Sequence, residues 1–411
     1  MAKIETPQPV RGTQSLLGEE ADRFHAVISA FDRVRRLFGF RRVEVPVIEP
    51  TAVFARTIGE TTDVVSKEMY TFEDRSGDSV TLRPELTAGI ARAFLSEGWQ
   101  QHAPLKVATW GAAFRYERPQ KGRFRQFHQL DAEILGTGDP SADVEILTFG
   151  AQLLSELGID GVTLKLNTLG DAESRDAWRA RLIEHFSGAD ISPESQERLH
   201  KNPLRVLDSK DPRDQAAVAG APVMKLTAEA EDFFGKVRAG LDAAGVDYVL
   251  DPHLVRGLDY YRHTAFEFVT DRLGAQGAVI AGGRYDGLME SLGGPHTPAI
   301  GWAAGIERLS MMIEAPEIEL PEVAVVVEDD AARDSGIALT AALRRKGFSA
   351  ELIATGSARK RYDKAVKLGC REIVQLRMDG GSVEIHKRVT GGGESRIEDV
   401  LSANDWSPVG R

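Results

Sequence analysis

Phe114-Arg115-Tyr116-Glu117-Arg118-Pro119-Gln120-Lys121-Gly122-Arg123-Phe124-Arg125-Gln126-Phe127-His128-Gln129 carries the strongest chemical signal in this chain. It places five cations between Arg115 and Arg125, and the whole stretch carries four aromatics. Pro119 to Gly122 is turn chemistry, so the flanks predict a β-hairpin. A hairpin brings Arg115 and the later arginines toward one anion, and the planar guanidinium fork pairs bidentately with phosphate. Phe127 offers a flat apolar face to a base. On composition alone, a solvated basic surface hairpin is an equally good reading.

Four further stretches have chemistry to offer, each with a plainer explanation. In Thr81-Leu82-Arg83-Pro84-Glu85-Leu86-Thr87 a carboxylate and a hydroxyl precede a helical stretch, and a helix cap accounts for both. Leu254-Val255-Arg256-Gly257-Leu258-Asp259-Tyr260-Tyr261 sets an arginine, an acid and paired tyrosines between apolar runs. Tyrosines of that kind line small-molecule pockets, but a turn with two core tyrosines is the plainer reading. Ala281-Gly282-Gly283-Arg284-Tyr285-Asp286-Gly287 allows close backbone approach or simply a turn. Ala299-Ile300-Gly301-Trp302-Ala303-Ala304-Gly305-Ile306-Glu307-Arg308-Leu309 reads as small residues leading into a helix that carries Arg308. No G-x-x-x-x-G-K-[S/T] loop and no strand-following G-x-G-x-x-G is present, so a bound nucleotide would rest on arginines and aromatics.

Around these stretches, apolar residues at Phe24, Val27, Ile28, Phe31, Val34 and Leu37 predict a helix over 21–38 ended by Gly39. Arg42 to Ile48 alternates like a strand, with Pro46 marking an edge or junction. Leu105 to Trp110, Phe266 to Val269 and Ala278 to Ile280 read as strands. Between Asp171 and Ala244 the pattern turns helical and polar, with breaks at Asn202-Pro203 and Asp211-Pro212. Ala315 to Pro321 reads as a linker. Beyond it, Val323–Val327, a helix over 331–346, Ser349–Ile353, a basic helix over Ala358–Leu368 and Glu372–Leu376 predict a small α/β unit.

With 411 residues, 42% of them hydrophobic, the chain exceeds one compact core. The single cysteine, Cys370, excludes an internal disulfide framework and a cysteine-built zinc site. No two of the nine histidines lie within one helical turn, which removes the commonest metal-ligand spacing. The N-terminal Met-Ala-Lys-Ile-Glu-Thr-Pro has no apolar signal core, and no run approaches the ~20 apolar residues of a membrane span. A reduced, soluble, cytoplasmic protein with no membrane partner is expected. The net charge of −11 argues against non-specific coating of nucleic acid, while leaving room for a local basic site. Charge is unevenly spread, with 15 Lys and Arg against 14 Asp and Glu from Pro321 onward.

Taken in order and spacing, the five stretches resemble the histidyl-tRNA synthetase family of class II aminoacyl-tRNA synthetases. Gly39 to Ile48 resembles the dimer-interface motif 1, Phe114 to Glu133 motif 2, and Ala299 to Leu309 motif 3. The two histidine-specific signatures are matched by Leu254–Tyr261 and Gly282–Gly287, and Asn202 to Asp208 resembles the family's helical insertion. The resemblance implies an α+β fold, an antiparallel sheet flanked by helices, in a homodimer. It implies a catalytic core over 1–170 and 251–320, a helical insertion over 171–250, and a C-terminal α/β anticodon-binding-like domain over 321–411. The implied reaction activates histidine with ATP, accompanied by Mg²⁺, to histidyl-adenylate, then moves the histidyl group to the terminal adenosine of tRNA(His).

Residue by residue, the resemblance puts Arg115 on the α-phosphate, Arg123 and Arg308 on the outer phosphates, and Phe127 on adenine. Glu85, Thr87 and Gln129 receive the α-amino group of histidine. Glu133, Tyr261 and Tyr285 read the imidazole, with Tyr260 beside them, and Arg256 is the second cation at the α-phosphate, so Arg115 and Arg256 carry the transfer step. Trp302 is bulkier than the motif 3 pattern, and Arg262-His263, between the paired tyrosines and Thr264, is not the family's commonest pairing. The basic face of Arg359, Lys360, Arg361, Lys364 and Lys367 suits tRNA phosphates or plain solvation. Regulatory paralogues, including the regulatory subunit of ATP phosphoribosyltransferase, lose catalytic residues and the C-terminal domain. Here Arg115, Arg256, Arg308, Glu85 and Glu133 are in place, and the C-terminal unit remains. An amino-acid activator without tRNA would lack the insertion as well.

Overall fold

The computed structural model describes residues 6–59, 62–207, 209–255, 261–317, 320–390 and 395–402. Its internal contacts form two units, 1–316 and 317–411.

The first unit opens with α1 (Glu19–Leu37), whose Val27, Ile28, Phe31 and Val34 are buried. Glu19, Glu20 and Asp22 lie in its first turn and Arg35 and Arg36 in its last, matching the helix dipole at both ends. Gly39, at φ +70°, lets the chain leave the helix, as expected. Leu37, read as a core position, is exposed. The strand expected over Arg42 to Ile48 is broken: β1 (Arg41–Arg42) and β2 (Ile48–Pro50) flank a stretch outside any ladder, tied by single backbone bonds from the Val43 N–H to the Ala108 carbonyl and from the Arg83 N–H to the Val47 carbonyl. Pro46 has no N–H for a ladder, and the buried Arg83 guanidinium takes the Val45 carbonyl at 2.7 Å where a strand partner would stand. After α2 (Thr51–Ile58) come β3 (Tyr70–Glu73) and β4 (Ser79–Leu82), which form a small sheet in the order β2-β4-β3.

Next follow α3 (Thr87–Ser96), β5 (Leu105–Phe114), β6 (Gln126–Leu135), α4 (Pro140–Glu156) and β7 (Thr163–Thr168). The polar stretch after Asp171 folds as α5 (Ala172–Ser187), α6 (Pro193–Lys201), α7 (Gln215–Ala219) and α8 (Ala228–Ala244), with the Asn202-Pro203 and Asp211-Pro212 breaks falling between helices. The unit closes with β8 (Val249–Leu250), β9 (Arg262–Val269), β10 (Ala278–Arg284), α9 (Leu288–Ser291), β11 (Ala299–Gly305) and α10 (Ile306–Ser310).

Eight strands make the main sheet, in the order β1-β5-β6-β11-β10-β9-β7-β8. Only the edge pairs β1–β5 and β7–β8 run parallel. One face packs on α1, α4 and α8 through Phe31, Ile146, Phe149, Leu130, Val237 and Trp302. Trp302 earns its bulk there: its ring meets Phe31 and Phe149, and Nε1 donates to the Ile146 carbonyl at 3.1 Å. The opposite face packs on α3 and on helices of the polar stretch, through Leu86, Ile90, Phe94, Trp178, Leu182 and Phe186. Strand alternation therefore sends Leu130, Ala132 and Ile134 of β6 to one side and Gln129, Asp131 and Glu133 to the other.

The second unit contains β12 (Val323–Val327), α11 (Arg333–Arg345), β13 (Ala350–Ile353), α12 (Ala358–Leu368), β14 (Glu372–Asp379), β15 (Ser382–Val389) and α13 (Glu398–Ser402). The sheet order is β13-β12-β14-β15, parallel except for the β14–β15 hairpin. β15 is an addition to the sequence reading. Arg361, read as part of a basic face, is buried instead, donating to the Val327 carbonyl at 2.7 Å and pairing with Asp330 at 2.8 Å.

Candidate active site

The expected hairpin is present. β5 and β6 pair from Leu105↔Leu135 to Phe114↔Gln126, and a Gln120↔Arg123 bridge closes the turn. The register puts Gln129 opposite Gly305, Asp131 opposite Ala303, and Glu133 opposite Gly301. Farther across the sheet, Ala303 faces Ala281 and Gly301 faces Gly283. Small residues thus floor the sheet beside three long polar side chains.

At one end of this floor a polar cluster is closed off from solvent. Glu133, 1% exposed, accepts from the Tyr285 hydroxyl at 2.5 Å and from the Thr87 hydroxyl at 2.8 Å. A Cβ on Gly301 would fall 1.4 Å from Glu133 Oε2, and one on Gly283 would fall 2.9 Å from the Tyr261 ring. Both glycines therefore make room for the groups assigned to the imidazole. Burial pushes the Glu133 carboxyl up to about 8, against the hydrogen bonds from Tyr285 and Thr87. Glu85 is also buried and pushed up, while its Oε1 accepts from the Ala88 N–H at 2.9 Å and closes the start of α3. The helix-cap reading thus holds for Glu85. It fails for Thr87, whose hydroxyl crosses to the sheet.

The arginine end is a cleft of about 270 Å³, whose lining includes Arg115, Arg123, Phe127, Gln129, Glu267 and Arg308. Arg115 donates Nε to the Pro84 carbonyl at 2.9 Å and sets its guanidinium 5.4 Å from the centre of the Phe127 ring. Arg308, on α10, donates to the carbonyls of Gly122 at 3.2 Å and Ala278 at 2.9 Å. Burial and the Arg123 and Arg115 charges lower its pKa, against the opposing pull of Glu117 and Glu307. Arg123 is held by Glu117 at 2.7 Å.

The structure brings together Arg115, Arg123, Phe127, Gln129 and Arg308 in the cleft, and Glu133, Thr87, Tyr285 and Tyr261 around the buried cluster. Arg256 and Tyr260 lie outside the described residues, as does Asp208. Two groups escaped the sequence reading. Asp131, between Gln129 and Glu133, was visible in the alternation of three polar side chains on one strand face. Glu307 accepts from both the His128 N–H at 3.0 Å and the His128 ring at 2.9 Å, tying α10 to the strand that carries Phe127. Arg284 is a structural cation instead, fully buried and paired with Asp143.

An antiparallel-rich sheet flanked by helices, a basic hairpin and a motif 3 strand–helix join bearing an arginine define a class II aminoacyl-tRNA synthetase. A family model described as Histidyl-tRNA synthetase matches residues 12–309. A histidine–tRNA ligase from Novosphingobium aromaticivorans is 62% identical over 408 residues, covering 97% of each chain. One from Gluconacetobacter diazotrophicus is 52% identical over 90% of this chain and 91% of its own. The apo S. aureus histidyl-tRNA synthetase structure superposes with a TM-score of 0.74 at 30% identity, covering 94% of this chain and 97% of that one. A Bacillus halodurans structure described as an ATP phosphoribosyltransferase regulatory subunit/histidyl-tRNA synthetase shares the fold, with a TM-score of 0.63 at 23% identity over 85% of this chain and 93% of its own. This chain belongs to the histidyl-tRNA synthetase family.

Proposed function

We propose that this protein activates histidine with ATP and transfers the histidyl group to the 3′-terminal adenosine of tRNA(His). The observation that carries the reading is the buried Tyr285–Glu133–Thr87 chain at the end of an arginine-lined cleft. Imidazole presents one N–H and one lone pair in its neutral form, and a pocket that pairs both rejects isosteres that cannot. Glu133 supplies the acceptor, and the Tyr285 and Tyr261 hydroxyls supply the adaptable partners.

In the first step the histidine carboxylate oxygen bonds to the α-phosphorus, and the bond to pyrophosphate breaks. Arg115 neutralises charge building on the α-phosphoryl oxygens, joined by Arg256 from the histidine-specific signature. Arg123 and Arg308 hold the departing phosphates, which requires Arg123 to exchange its Glu117 partner for substrate. Phe127 stacks on adenine. Such a reaction gains most from positioning and charge stabilisation, which converging arginines supply without a protein base. ATP enters as its Mg²⁺ complex. In the second step a terminal ribose hydroxyl attacks the activated carbonyl and AMP leaves. Residues 171–250 act as the helical insertion and 321–411 as the anticodon-binding domain. The protein works in the cytoplasm as a homodimer joined through the motif 1 region.

Charging of tRNA(His) transcript with labelled histidine tests the reading. Histidyl-tRNA formation that needs ATP supports it. Histidine binding without charging, in folded protein, would leave a synthetase-like sensor in its place.

A further inference from the structure

Among the described residues, two buried acceptors on the inner face of β6, Gln129 Oε1 and Asp131 Oδ1, have no hydrogen-bond partner. Asp131 is 0% exposed, as deep as the hydrophobic core beneath the sheet. Thr87 Oγ1 lies 3.3 Å from Asp131 Oδ2 but 2.8 Å from Glu133 Oε1, and its single proton serves the nearer carboxylate. Asp131 Oδ1 is thus left with no donor, while Oδ2 keeps only the longer contact to Thr87. A buried carboxyl oxygen with no donor is costly, and its persistence in a binding site points to a partner that arrives with the ligand. Two orphaned acceptors two residues apart on one strand face call for a donor with several protons. Three carboxyls crowd this pocket, Glu85, Asp131 and Glu133, so that donor should also be cationic.

We infer that Asp131 is a substrate-contacting residue that, together with Gln129, receives the α-ammonium group of bound histidine. The inference rests on the reading of this pocket as the histidine site. It adds a charged acceptor to the α-amino contacts and makes the pocket select for an amine as well as for an imidazole. Burial foremost, then the neighbouring Glu133, raises the free Asp131 carboxyl well above the usual carboxylate range, and a bound ammonium acts in the opposite direction.

The test is calorimetric binding of histidine and of 3-(imidazol-4-yl)propionate, which keeps the ring and carboxylate but lacks the amine, to full-length wild type and Asp131→Asn. The side chains are isosteric, and Asp131→Ser is a second variant should the amide fold poorly. Histidine affinity should fall tenfold or more in the variant, while affinities for the deamino compound and for ATP stay within twofold. Unchanged histidine affinity would overturn the inference, and so would an equal loss for both imidazole ligands, since a packing defect does not distinguish an amine. Wild-type protein that binds no histidine would instead overturn the pocket assignment on which the inference stands.

Discussion

The Tyr285 hydroxyl donates to Glu133 Oε2 at 2.5 Å, while Thr87 donates to Oε1 of the same carboxylate. The three residues come from β6, the start of α3 and the turn after β10, so three distant parts of the chain fix one carboxylate. Tyr285→Phe removes one donor and leaves Oε2 buried without it, a loss of about 1–3 kcal/mol. The expected result is a 10- to 100-fold rise in the KM for histidine, with the KM for ATP nearly unchanged. Equal changes for the two substrates in steady-state exchange would contradict the imidazole role.

Glu133 also sets a pH dependence. Its carboxyl titrates near 8 in the fold, against an ordinary value of 4.5. Between those two values the folded protein keeps a proton that the unfolded chain has lost, so stability falls as pH rises from about 4.5 to 8. Glu133→Gln removes this component and should be more stable than wild type at pH 8, by on the order of a few kcal/mol. Urea unfolding at pH 5 and pH 8 reads the difference. Parallel pH profiles for the two proteins would refute it.

Gly301→Ala tests the floor of the pocket. Its Cβ would meet Glu133 Oε2 at 1.4 Å and the Ala132 carbonyl at 2.6 Å, and Glu133 is buried and held by two hydroxyls. Histidine-dependent activity should be lost, with ATP still bound. Normal histidine affinity in this variant would place the imidazole elsewhere.

Arg115→Ala should slow adenylate formation by about 10²–10³-fold, the usual effect of removing one preorganised charge-stabilising group. Single-turnover quench kinetics reads the chemical step apart from binding. An unchanged rate would remove Arg115 from it.

In the polar helical stretch, Asp214 accepts from the Ser192 N–H at 2.6 Å and from the hydroxyls of Ser192 at 2.9 Å, Ser195 at 2.5 Å and Ser209 at 2.5 Å. Those bonds overcome burial and lower its pKa to about 2. Its contribution to stability is full above the ordinary value of 3.8 and is lost as pH falls toward 2. Asp214→Ala should cost about 2–4 kcal/mol at neutral pH by stranding four donors. Amide exchange should quicken around residues 190–215 and stay slow in the main sheet. Uniform protection in the variant would contradict this.

The hairpin was legible because turn residues and flanking alternation are local signals. The interrupted strand after Gly39 was not, because the guanidinium replacing its partner comes from Arg83, far along the chain. Arg284 looked like part of a glycine turn, and only its pairing with Asp143, which no spacing announces, makes it a core residue. β15 was missed because Ser382 to Val389 is charged and largely exposed, and its short alternation of Val383 and Ile385 is interrupted by Lys387. Asp131 stood in plain view within motif 2. Its meaning depends on burial and on what Thr87 does with its one proton, and neither can be read from a string of letters.

Amino-acid-dependent ATP–pyrophosphate exchange, run with each of the twenty amino acids and no tRNA, tests the central claim most directly. The Glu133 pocket and the arginine cleft together predict exchange with histidine alone. Exchange with several amino acids would contradict the pocket. No exchange with any, in folded protein that binds histidine, would contradict the catalytic reading of the arginines.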